Sequence, residues 1–101
     1  MNNKMKHMVI FTLMYEKGSE GEKNFLQDGE RLLTQINGVE NFEVVTQISH
    51  KNDFNYGFSM EFADKATFDA YMIDPIHLAF VNDRWMVEVT DFLEIDLESY
   101  R

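Results

Sequence analysis

Cysteine is absent from the 101 residues. Its absence excludes disulfides, thiolate nucleophiles and cysteine-rich metal sites, and fits a reducing compartment. Basic residues are scarce: nine Lys and Arg stand against 18 Asp and Glu, giving a formal charge of -9. Such a surface repels phosphate backbones and anionic lipid heads, so neither nucleic acid nor a membrane is an expected partner. The longest apolar run, around Met8 to Met14, falls far short of the roughly 20 residues a membrane span needs. The opening residues, Met1 to Lys6, are polar rather than the apolar centre of a signal peptide. These features predict a soluble, cytoplasmic protein. Also missing are a phosphate loop, a glycine-rich nucleotide turn and a nucleophile elbow, which removes kinase, dinucleotide-binding and hydrolase readings. The three histidines, His7, His50 and His77, share no metal-ligand spacing such as i, i+4 on a helix. Neither a metal nor a cofactor is expected.

What is present suffices for one folded domain spanning residues 1–101, since 45% of the residues are hydrophobic and 27% charged. Lys6 to Met14, rich in Val, Ile and Phe, predicts a first strand. Glu20 to Ile36 carries Phe25, Leu26, Leu32, Leu33 and Ile36 at helical spacing, and Asn37-Gly38 supplies residues that end a helix in the left-handed conformation. Gly29 stands where that helix would place another apolar residue, which costs about 1 kcal/mol unless something packs closely there. Phe42 to Ser49 and Phe54 to Phe62 read as strands joined by a polar connection of hairpin length. In the second of them Phe54, Tyr56, Phe58, Met60 and Phe62 share one face. Asp64 caps a helix from Lys65 to about Met72. Asp74-Pro75 then restarts the chain as a second short helix to about Asn82, because Asp suits an N-cap and Pro the first helical position. Trp85 to Leu97 is predicted as a closing strand, with the acidic residues between Asp91 and Glu98 on the solvated side of a sheet edge.

The order β-α-β-β-α-β predicts an α+β, ferredoxin-like protomer. The first strand is apolar on both sides, with Val9, Phe11 and Leu13 pointing one way and Met8, Ile10 and Met14 the other. Helices of such a unit cover one sheet face only. Leaving the other in water costs roughly 1.5–3 kcal/mol for each large side chain, so a second copy, packed sheet to sheet about a two-fold axis, is the expected cover. A groove filled by ligand alone is the competing reading.

The chain resembles the stress-responsive A/B barrel (Dabb) domain family of the dimeric α+β barrel superfamily. The stretches that carry the resemblance are KHMVIFTL at Lys6 to Leu13, INGVENFEV at Ile36 to Val44, FNYGFSMEF, FDAYMIDPIHLAFV from Phe68 to Val81, and VTDFL. The resemblance implies a homodimer closed into a dimeric α+β barrel, with a stress-related or small-molecule-binding role. It also implies the chemistry of a plant member, a polyketide cyclase that performs an intramolecular aldol condensation without a cofactor. In that cyclase a tyrosine and a histidine six residues later act on the substrate; Tyr71 and His77 stand at that spacing, and His7 matches a further histidine near the pocket. Where the family often has His-Pro-x-His, this chain has Asp74-Pro75-Ile76-His77.

Two site readings follow. As an enzyme, the chain would use His77 as base, near the start of a helix whose dipole disfavours the charged ring, and Tyr71 as proton donor to an enolate. As a binding protein, it would hold a small aromatic or polyketide-like molecule with His7, Phe11, Phe58 and Trp85. An oxygenase of the wider superfamily, acting on a quinol or haem, is a third reading. Against all of these, Tyr71 and the aromatic residues would simply pack in the core.

Overall fold

The computed structural model describes residues 4–100; the first three residues of the polar opening segment lie outside the described residues. Four strands form a single antiparallel sheet in the order β2-β3-β1-β4, with β1 at Met5–Leu13, β2 at Glu40–Thr46, β3 at Tyr56–Phe62 and β4 at Val89–Glu98. Helix α1, Glu20–Leu33, joins β1 to β2; α2, Lys65–Met72, and α3, Pro75–Phe80, lie between β3 and β4. This is the ferredoxin-like topology. Among the described residues no helix is long and apolar enough to cross a membrane.

Local chemistry explains each boundary. Ser19 accepts from the Glu22 N–H to open α1, and Asp64 accepts from the Thr67 N–H at 2.9 Å to open α2. Helix α1 stops at Leu33, three residues before the apolar periodicity ends, and the chain turns through Gly38 at φ +93°. On β1 the residues Met5, His7, Val9, Phe11 and Leu13 are buried beneath the helices. On β3 Tyr56, Phe58, Met60 and Phe62 join them. Gly29 is where α1 meets the sheet: a methyl group there would lie 2.5 Å from Phe58 Cζ, so the ring fills the space that a larger residue would need. That contact offsets the helix-propensity cost of the glycine.

Two expectations about the C-terminal third are corrected. Trp85 does not open β4. After α3 the chain widens into a π-helical turn, Val81–Trp85, followed by one helical turn, Met86–Glu88, and only then extends. The wider turn brings the Trp85 ring within 4.9 Å of Phe11 and leaves Met86 and Val87 in solvent. The carboxylates of β4 are not a purely solvated side either. The register places Glu94 opposite Val9 and Asp96 opposite His7, on the helix-covered face, while Leu93 and Ile95 lie opposite Ile10 and Met8 on the open one. The open face is therefore more apolar than the first strand alone suggests, with Leu93 and Leu97 both about half exposed. Met14 lies beyond the end of β1 and is exposed.

Candidate functional site

Between the sheet and the α2–α3 wall lies a cavity of about 240 Å³. Its floor is Val9, Phe58 and Met60 from the two central strands. Phe80, Val81 and Trp85 form one wall, and Phe92 and Glu94 of β4 form the other. Tyr71, His77 and His7 supply the remaining polar groups. The Asp74-Pro75 break makes this possible. Asp74 caps α3, accepting from the Ile76 N–H at 2.8 Å, and the change of helix direction folds His77 back toward the preceding helix. The His77 and Tyr71 ring centroids end up 4.5 Å apart, and His7 reaches within 6.1 Å of Tyr71 from β1.

The protonation states follow from the partners. His77 Nδ1 lies 3.1 Å from the Met72 carbonyl oxygen. A carbonyl only accepts, so Nδ1 carries the hydrogen and Nε2 of the neutral ring keeps its lone pair. Burial lowers the His77 pKa below the ordinary histidine value, outweighing the Met72 carbonyl and the Asp74 carboxylate, which favour the charged ring. Tyr71 is shifted the other way: burial, and then the nearby Glu94 carboxylate, push its hydroxyl well above the usual phenol range. At neutral pH the cavity thus presents a phenol donor beside a neutral imidazole acceptor, the pairing that general acid–base chemistry requires.

His7 is held differently. Its Nδ1 lies 2.5 Å from Asp96 Oδ1 and 3.7 Å from Glu94 Oε2. The ligand atoms of these three residues lie within 4.8 Å of one another, a histidine and two carboxylates able to hold a cation. No spacing along the chain announces this cluster, because His7 and Asp96 are brought together by the β1–β4 register alone. The cluster and Glu94 are what the sequence reading missed. Of the residues expected to bind ligand, His7, Phe58 and Trp85 line the cavity. Phe11 does not; it is fully buried one layer below, packed on Phe58 and under Trp85. His50 is exposed in the loop between β2 and β3.

Behind the cavity wall, Arg84 ties the π-helical turn to α1. Its Nη1 donates to Asp28 at 2.6 Å and its Nε donates to Glu88, whose other carboxylate oxygen accepts from the Tyr15 hydroxyl at 2.7 Å. Glu88 is 6% exposed, so the carboxylate of this ionic contact is buried.

No curated protein matches the sequence closely. Among solved structures, a Dabb family protein with a ferredoxin-like fold from Mesorhizobium loti is 47% identical, with a TM-score of 0.96 over 98% of this chain and 99% of that one. A hydroxynitrile lyase from Passiflora edulis shares the fold at 12% identity, with a TM-score of 0.83 over 98% and 95% of the two chains. A dimeric ferredoxin-like protein from Jannaschia sp. does so at 21% identity, with a TM-score of 0.72 over 95% and 99%. The model of the stress responsive A/B barrel domain matches residues 5–99, nearly the whole chain, and this protein belongs to that family.

Proposed function

We propose that the protein is a cytoplasmic homodimer, joined through the open face of its sheet, that holds a small apolar or aromatic molecule in the cavity. The observation that carries this reading is the convergence of the Tyr71 donor and the His77 acceptor at one end of a space otherwise walled by apolar side chains. Such a space suits a flat molecule with one carbonyl or hydroxyl group. The dimer is supported by the apolar open face and by similar folds described as dimeric.

The single tryptophan supplies the test, because Trp85 lies in the cavity wall. Acetophenone titrated into ¹⁵N-labelled protein is expected to move the one indole N–H signal and the His77 amide together, saturating at about millimolar concentration for so small a ligand. An indole signal that stays in place would sink the binding reading.

A second reading, turnover without a cofactor, is favoured by the protonation states of the same pair. His77 Nε2 would take a proton from the carbon next to a carbonyl while Tyr71 donates a hydrogen bond to the enolate oxygen that forms. This is the half-reaction an aldol cyclase needs. Deuterium exchange into the acetophenone methyl group measures it directly. Wild-type protein is expected to accelerate exchange, and His77→Ala to lose about 100-fold or more of the acceleration. The rate should fall only below pH 6.5, as His77, with its lowered pKa, becomes protonated, and should hold level up to at least pH 10, the ordinary value that Tyr71 exceeds. Exchange no faster than in buffer would leave the protein a binder and not an enzyme.

A further inference from the structure

Glu94 takes no part in that proton transfer, yet it stands in the cavity wall beside Tyr71 and 3.7 Å from His7. We propose that Glu94 makes the cavity selective by charge, so that it admits neutral aromatic molecules and, more strongly, aromatic amines, and rejects carboxylates and phosphates. This deepens the binding reading above and rests on it.

The charges on the page point one way. Among the described residues no lysine or arginine lines the cavity. The Arg84 guanidinium, one residue from Trp85 in the chain, is already shared between Asp28 and Glu88. Asp96 adds a second carboxylate at the same ring nitrogen of His7, so that even a charged imidazole offsets only one of the two. His77 cannot compensate, since its environment favours the neutral ring. An anionic ligand would therefore lose its hydration and meet a like charge, with no cation to pair with. An ammonium group meets the opposite. Glu94 offers it an ion pair, and the aromatic rings of Tyr71, Trp85 and Phe92 line the same space, where a cation can be drawn to a ring; the last two stand edge to face at 5.6 Å. The surface outside has the same sign, with a formal charge of -9 for the chain, and adds to the approach of cations and the exclusion of anions.

Three probes of one shape separate the charge from the fit: 2-naphthylmethanol, 2-naphthoate and 2-naphthylmethylamine. Each is titrated into wild-type protein and into Glu94→Gln, with the Trp85 indole signal as readout and EDTA present so that no bound cation masks the carboxylates. The Glu94 side chain is 42% exposed on an edge strand and glutamine has nearly its shape, so the variant keeps the fold. In the wild type the amine is expected to bind about tenfold tighter than the alcohol and the acid about tenfold weaker, the size of a partly screened charge contact. In Glu94→Gln both gaps should shrink severalfold. If all three probes bind alike, or if the gaps survive in Glu94→Gln, the charge assignment is overturned and the cavity remains a binding site. If none of the three binds, the binding reading itself fails and takes this one with it.

Discussion

Arg84→Met is expected to lower the free energy of unfolding by about 2–3 kcal/mol, a fall in Tm of roughly 10–15 °C for a domain of this size. The loss does not come mainly from the contacts removed. It comes from the Glu88 carboxylate, buried against Tyr15, which is left without its cation. The double variant Arg84→Met/Glu88→Gln should therefore recover much of the stability, whereas a loss of shape alone would leave it as low as the single variant. The pH dependence separates the two further. Arg84 holds the Asp28 carboxyl below its ordinary value; Glu88 is also held low, burial acting against this and the Arg84 and Tyr15 donors prevailing. Carboxyl groups with lowered folded-state values bind protons more readily when unfolded. They stabilise the fold fully above about pH 4.5, and that contribution is lost as pH falls through the lowered values. Wild-type protein should lose stability across that range and the Arg84→Met variant should lose much less, as chemical denaturation between pH 7 and pH 3 would reveal. Equal slopes would show that Arg84 does not hold these carboxyl groups.

Leu93→Asp is expected to turn the proposed dimer into a monomer at micromolar concentration, with the dissociation constant raised at least a thousandfold. Leu93 lies opposite Ile10 on the open face and is about half exposed in the protomer, so the protomer itself tolerates the change. In a two-fold assembly each substitution counts twice: two apolar contacts are lost, and two carboxylates must leave water. About 4 kcal/mol in total suffices for the thousandfold effect. Light scattering coupled to gel filtration reads the mass directly. A variant that remained dimeric would move the interface to another surface, and a wild-type monomer would end the account of the open face.

The elements that were legible in the sequence are those fixed by local chemistry. Alternation along β3 showed which side of Phe58 and Met60 was buried, and Asp74-Pro75 marked the break that turns His77 back toward Tyr71. Where the reading failed, the deciding contact was distant or carried no residue signature. Trp85, Val87 and Val89 alternate as a strand would, and a π-helical turn has no punctuation of its own, so the start of β4 was placed too early. Glu94 and Asp96 looked like solvent-facing acids because their partner, His7, lies at the other end of the chain. Phe11 and Val9 point to the same side of β1, yet only Val9 reaches the cavity, because Trp85 is laid over Phe11. No pattern within β1 distinguishes the two.

Strand β4 is a ribbon with two customers. Phe92 and Glu94 line the cavity and Asp96 lies on the same face against His7, while Leu93 and Ile95, the residues between them, look toward the open face. A slip of one residue in its pairing would exchange both sets at once, sending the carboxylates toward a partner and leucine into the cavity. The register of one edge strand therefore encodes recognition on both of its sides. The side chains that face the cavity and those that face the open side of the sheet are therefore separated by the thickness of a single chain.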